Sequence, residues 1–218
     1  HSMTDIPTAT EVVNPRFIFL FLLGGALHAS VMVEGVIYMK DGTVVEYSGS
    51  DRVKIPKNAA RKVTAYKNAY ARKGKKRVSY AAADIDSLVC RHPQAKEYRR
   101  KFVYVDRVGW CWVYVDTPYI EAYVFSKKGY EMYSNGGISL TVVEKALGAR
   151  SRVSVYLRKT GRDDVLALGG MYKKPGDAFI EKVCGYISDD PGLCRAIREK
   201  VRMRSKTIAM LAGYTPGR

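Results

Sequence analysis

From Val36 onward, apolar and polar residues alternate in short runs that break at glycine-bearing turns. Val36–Met39 and Thr43–Tyr47 flank Lys40-Asp41-Gly42, and Asp-Gly between β-branched runs is a strong sign of a hairpin. The same period of two predicts strands at Lys62–Lys67, Arg77–Ala81, Phe102–Asp106, Trp110–Val115, Tyr119–Phe125, Glu131–Tyr133, Arg152–Arg158 and Val165–Leu168. Turn chemistry separates them at Lys127-Lys128-Gly129, Asn135-Gly136-Gly137 and Thr160-Gly161-Arg162-Asp163. Short strands without helices between them predict antiparallel pairing, in a sandwich or an open barrel. Near Ala82 the pattern changes, and Ala82 to Val89 predicts a short helical turn capped by Asp84 before a strand or loop through His92-Pro93. Asp84 and Asp86 do not start a calcium loop, because the remaining oxygen ligands and the glycine are missing.

From Pro175 the period becomes helical. Phe179, Ile180, Val183 and Ile187 share one face of a helix that Asp177 is expected to cap, and Asp190-Pro191 restarts the chain as cap and first helical residue. Leu193, Ile197 and Val201 form the next apolar stripe, opposed by Arg195, Arg198, Lys200, Arg202 and Arg204. Ser205 is expected to cap a last short helix with Ile208, Met210 and Leu211. The fold class is therefore α+β: a mainly antiparallel β domain over 30–172, followed by a short C-terminal helical segment, 173–218, packed on it.

Ahead of these elements, Arg16 precedes an apolar run, Phe17 to Leu23, and small residues close the stretch at Ala29-Ser30. That layout predicts a secretory signal peptide over 1–29, cleaved after Ala29. It is too short for a bilayer-spanning helix, which needs about 20 apolar residues. Asp5 and Glu11 are unusual in such a leader; a true start at Val12 or Val13 removes both, and His1-Ser2 reads as a cloning scar. The alternative is a buried strand or helix of the folded domain. The leader predicts a periplasmic or cell-surface protein with no transmembrane span.

Three phrases carry a resemblance. Gly35 to Tyr47 (GVIYMKDGTVVEY), Ser79 to Leu88 (SYAAADIDSL) and Phe179 to Leu193 (FIEKVCGYISDDPGL) resemble a loose group of secreted, uncharacterised proteins of Bacteroidota. In that group a strand pair follows the signal peptide and a helical "D-C/D-P-x-L" phrase lies near the C-terminus. Asp190 stands here where a cysteine is common there, a departure that weakens the case for a disulfide shared with the group. The resemblance implies export and a β-rich fold with terminal helices, and it brings no catalytic residues.

Charge narrows the choice of partner. The 218 residues carry a formal net charge of +16, with 47% hydrophobic residues. A basic protein raises the question of nucleic acid, but export exchanges that for lipopolysaccharide phosphates, acidic glycans or anionic lipid; the alternative is a charge that only maintains solubility. The densest basic stretch is Lys54 to Arg77, with Tyr66 and Tyr70 among its cations. It predicts a solvated hairpin around Gly74, with Lys73, Lys75, Lys76, Arg77, Tyr66 and Tyr70 as the candidate binding residues. Trp110 and Trp112 join that set as the indoles of an aromatic stretch that also holds Tyr104, Tyr114, Tyr119, Tyr123, Tyr130 and Tyr133, half of it expected in the core and half in a recognition face.

Four cysteines follow the predicted leader: Cys90, Cys111, Cys184 and Cys194. Cys184 and Cys194 flank the turn between two predicted helices and are the disulfide candidate; buried free thiols are the alternative. Cys111, alternating with Trp110 and Trp112, is expected to face away from both indoles. There is no CxxC pair, and His92 is the only histidine after the leader, so no metal and no cofactor is expected. The chain lacks a GxSxG elbow, a P-loop and HExxH. Glu121, Glu131, Asp116 and Asp106 leave open a hydrolase with a carboxylate pair. The sequence thus reads as a non-enzymatic binding or scaffold module at the cell envelope, whose partner is an envelope polyanion, a glycan or another envelope protein, with no nucleic acid expected. A polyanion-binding protein acting through the basic hairpin is the first alternative, and the hydrolase is the second.

Overall fold

The computed structural model describes residues 32–57, 59–94, 99–127, 130–132, 138–140, 153–200 and 203–217. The expected leader lies outside them. Thirteen described strands run β1 (Met32–Met39), β2 (Val44–Tyr47), β3 (Arg52–Lys54), β4 (Lys62–Lys67), β5 (Lys76–Ala81), β6 (Ile85–Arg91), β7 (Arg99–Val105), β8 (Gly109–Asp116), β9 (Ile120–Ser126), β10 (Tyr130–Met132), β11 (Ile138–Leu140), β12 (Val153–Lys159) and β13 (Leu166–Gly170). Helices α1 (Asp177–Tyr186), α2 (Pro191–Lys200) and α3 (Arg204–Met210) follow. The fold is α+β and mainly antiparallel, as the alternation predicts.

Eleven strands join one sheet in the order β13-β12-β9-β8-β7-β6-β1-β3-β4-β5, with β2 also on β1, while β10 and β11 form a separate pair. β1 is where the sheet divides. Its start pairs with β3 (Met32 with Lys54, Val33 with Val53), and its remainder pairs with β2 (Gly35 with Tyr47, Tyr38 with Val44). The β1–β2 turn is the expected one: Gly42 has φ +87°, and Asp41 Oδ1 accepts the Thr43 N–H at 2.8 Å. At the division Gly35 is required, because a Cβ there would meet Val53 Cγ1 at 2.6 Å and the Val89 carbonyl at 3.1 Å. The leaf β3–β4–β5 thereby folds back over β1, β6, β7 and β8, so the strands form one creased sheet. Val33, Ile37, Val53, Val63, Ala65, Leu88, Phe102 and Trp110 fill the space between.

The same face of the sheet continues into a second core. Val115, Ile120, Ala122, Val124, Val153, Val155 and Leu157 meet Phe179, Val183, Ile187, Ile197, Ile208 and Leu211 of the helical end. The leaf therefore covers one half of this face and the helices the other, with Trp112 packed against both cores. A bulge between Val113 and Val115 makes this possible. Val113 pairs with Tyr123 and Val115 with Ala122, so Tyr114 is the extra residue and Val115 turns to the helix-covered face. Cys111, Val103, Val113 and Tyr123 form a smaller cluster on the opposite face, so Cys111 does face away from the indoles.

The helical end differs from expectation at its caps. Asp177 is the first residue of α1 behind a Gly176 cap, and Met203, not Ser205, caps α3. Asp190 does cap α2: it is buried, and its Oδ1 accepts the Leu193 N–H at 2.9 Å. The end of the chain is tied to this turn, since Tyr214 donates to Asp189 at 2.7 Å and Lys159 Nζ meets the other carboxylate oxygen at 2.9 Å. The expected helical turn near Ala82 shrinks to the 3-10 turn Ala82–Asp84, without the Asp84 cap, and gives way at once to β6. Among the described residues no helix is long and apolar enough to cross a membrane.

Candidate polyanion-binding site

From Arg52 to Ala81 the chain has eleven Lys and Arg residues and no Asp or Glu. The strand period sorts them. Val53, Val63 and Ala65 point into the core, so their neighbours Arg52, Lys54, Lys62, Thr64 and Tyr66 lie on the outer side of the leaf. Tyr66 stands at its centre, opposite Arg52 on β3 and Arg77 on β5. Lys54 Nζ lies 5.5 Å and Lys75 Nζ 4.6 Å from its ring centroid. Four cations thus surround one tyrosine, an arrangement in which the ring's negative face offsets part of their mutual repulsion.

Tyr70, on the loop after β4, is exposed and lies over Arg52, with the guanidinium carbon 5.4 Å from the ring centroid. Arg52 itself is held by its backbone, donating from Nη1 to the carbonyls of Gly49 at 2.6 Å and Asp51 at 2.7 Å. Lys73 is exposed at the turn beside Gly74, whose φ is +80°. Lys76 falls on the other side of β5 from Arg77, paired in register with Lys67. Lys67 is already engaged: its Nζ bonds Asp51 Oδ2 at 2.7 Å and lies 4.7 Å from the Tyr47 ring. This contact and the backbone N–H of Asn68 hold the Asp51 carboxyl below its ordinary range.

The structure therefore brings Tyr66, Lys75 and Arg77 together, adds Tyr70 through Arg52, and places Lys73 and Lys76 at the margin. It separates the two tryptophans from that set. Trp110 is fully buried and its indole N–H donates to the Ala60 carbonyl at 2.9 Å, which makes it a core residue rather than part of a recognition face. Trp112 is half-buried in the centre of the sheet, under the Arg100 guanidinium at 4.9 Å and edge-on to Tyr114. Arg52 and Lys54, which are not among the residues expected to bind, complete the cationic ring. The signal was their alternation with Val53, hidden because β3 has three residues.

Asp106, Asp116 and Glu121 of the carboxylate candidates stand in ion pairs. Asp116 and Glu121 face each other across β8 and β9, and Lys101 Nζ reaches both, at 3.0 and 3.6 Å. Glu121 also accepts from Tyr123 and from Arg158 at 2.8 Å. Burial raises the Glu121 pKa, but these two hydrogen bonds and the charges of Arg158 and Lys101 outweigh it and hold the carboxyl below its ordinary range. A general acid needs the opposite shift. Asp106 is exposed beside Arg107, and Glu131 lies on β10.

Cys184 and Cys194, the disulfide candidate, are both free, buried thiols in this structure. The turn between α1 and α2 does bring them together. Each sulfur is turned to backbone instead: Cys194 Sγ donates to the carbonyls of Cys184 at 3.5 Å and Ile187 at 3.6 Å, and Cys184 Sγ to that of Cys194 at 3.8 Å. Among the described residues no three His, Cys, Asp or Glu side chains are grouped to hold a metal. No protein family, curated protein or solved structure matches the chain.

Proposed function

We propose that this protein is a non-enzymatic binding module of the cell envelope that takes an anionic polymer on the outer side of the β3–β4–β5 leaf. The carrying observation is the ring of Arg52, Lys54, Lys75 and Arg77 around Tyr66, in a stretch of eleven cations without a carboxylate. Cations spread by chance over a soluble surface are interspersed with acids; here the acids are excluded from one leaf. The density suits a repeating anion, such as the phosphates of lipopolysaccharide or an acidic glycan. The envelope location rests on the leader-like stretch Arg16–Ser30.

Three measurements test this. Retention on heparin and on immobilised lipopolysaccharide should fall steeply with added salt, because contacts between exposed charges are screened. Reversing Lys73, Lys75, Lys76 and Arg77 together should abolish retention and leave the thermal transition in place, since all four lie at or beside an exposed turn. A folded variant that is retained like the parent overturns the reading. N-terminal sequencing of protein from its native host should begin at Ser30, and an intact N-terminus would remove the export argument.

A further inference from the structure

The leaf holds one polar atom that its own fold leaves unsatisfied. Arg52 is 9% exposed, and its Nε is buried with no hydrogen-bond partner. Buried donors are almost always paired, and an unpaired one calls for an explanation. The guanidinium is not loosely placed, for both Nη1 hydrogens are spent on the carbonyls of Gly49 and Asp51. Those two bonds fix the plane and leave Nε, on the opposite edge beside Nη2, without a protein partner. That edge is a two-pronged fork, and its natural partners are two oxygens of one oxyanion.

The surroundings favour an anion of more than one charge. Tyr66, across the strand pair from Arg52, carries the ammonium groups of Lys54 and Lys75 against its ring, and Arg77 lies beyond it. The nearest acid in sequence, Asp51, is committed to Lys67 Nζ and to the Asn68 N–H at 2.9 Å. A carboxylate would be neutralised by Arg52 alone, whereas a phosphate or sulfate group uses the flanking lysines as well. The only ring placed over the guanidinium among the described residues is that of Tyr70, 68% exposed on the loop that carries Gly74. It belongs to none of the described hydrophobic clusters.

We infer that Arg52 anchors a subsite for a tetrahedral oxyanion, a phosphate or sulfate group, gripping two of its oxygens through Nε and Nη2 while Lys54 and Lys75 balance its charge and Tyr70 swings aside. This rests on the leaf being a polyanion-binding face, and it adds that the face recognises individual oxyanion groups rather than diffuse charge.

The test uses the full chain labelled with 15N. The Arg52 Nε–Hε resonance is followed while inorganic phosphate, inorganic sulfate or acetate is added at constant ionic strength. The expected result is a saturable shift of that resonance with phosphate and sulfate, and a much weaker one with acetate. Arg52→Lys keeps the charge and removes the fork, so phosphate affinity should fall about tenfold while heparin retention changes little. Tyr70→Ala should bind phosphate at least as tightly as the parent. A linear shift equal for all three anions, or Arg52→Lys binding phosphate like the parent, overturns the subsite; weaker binding by Tyr70→Ala overturns the role of Tyr70 as a displaceable cover. Should Arg52→Lys fail to fold, the parent titration decides alone. Intact heparin retention with no specific Nε shift removes the subsite and leaves the polyanion reading standing, and the reverse pattern removes that reading instead.

Discussion

The indole N–H of Trp110 donates to the carbonyl of Ala60 across 2.9 Å, joining the start of β8 to the β3–β4 connection fifty residues earlier. β8 lies several strands from β3 in the sheet, so this bond exists only because the leaf folds back over the face. It fastens the cationic leaf to the rigid part of the fold, with Tyr104 packed edge-on against the same indole at 5.7 Å.

Trp110→Phe should therefore loosen the leaf before the rest of the protein. Leaving the Ala60 carbonyl without its donor costs about 1–3 kcal/mol, with a further loss from the smaller ring. Limited proteolysis with trypsin should then cut within Lys54–Arg77 faster than in the parent, under conditions where the sheet and helices stay folded. Unchanged cleavage there, or global unfolding with no prior nick, would contradict the fastening role.

Much of this architecture was legible in the chain. The Asp41-Gly42 turn, the Lys62–Lys67 strand and the switch to helix after Pro175 all stand where the pattern puts them. β6 was not legible, because Ala82-Ala83-Asp84 reads as a helical start and the strand after it is central. Ile85, Ser87, Leu88 and Cys90 are all buried, which breaks a clean alternation. The tryptophans show the same limit at the site. Period two puts Trp110 and Trp112 on one face, but only the return of the leaf decides that Trp110 is sealed. Arg52 was hidden for a further reason: its importance lies in an unpaired nitrogen, and sequence does not show pairing.

The crease at β1 gives a sharp mutational test. Gly35→Ala places a methyl 2.6 Å from Val53 Cγ1 and 3.1 Å from the Val89 carbonyl, which is backbone and cannot turn aside. Overpacking of this kind costs about 1–3 kcal/mol, to be read as a lower denaturation midpoint in urea with the slope unchanged. Alanine at Gly185, near the end of α1, whose Cβ would meet nothing within 4 Å, is the uncrowded control and should be neutral to slightly stabilising, because alanine is the better helix former. Equal effects at the two sites would remove the close approach as the cause.

Thiol chemistry separates burial from pairing. Burial pushes Cys111 up to about 12, and burial together with the neighbouring Cys184 thiol pushes Cys194 up to about 11; Cys90 is raised by burial as well. Thiols so held supply almost no thiolate at neutral pH, and reactivity follows the thiolate. Cys184 is buried too, so a colorimetric thiol reagent should find four slow thiols in the native protein purified without reductant and four fast ones in denaturant. Only two after denaturation without reductant would mean that Cys184 and Cys194 oxidise after all.

The pH dependence of stability should identify Glu121 as a group that favours folding only when ionised. Its folded pKa lies below the ordinary glutamate value, because Tyr123, Arg158 and Lys101 together outweigh the effect of burial. The unfolded state then binds the proton more tightly, so the contribution is fully present above the ordinary glutamate range and is lost as pH falls through the lower, folded value. Glu121→Gln keeps the shape and removes the charge. It should be less stable than the parent near neutrality, and the gap should narrow steadily in acid as the parent's own carboxylate is protonated. Denaturant melts of both proteins across that range measure it directly. A gap that is constant with pH would show that shape, not charge, sets the contribution of this residue.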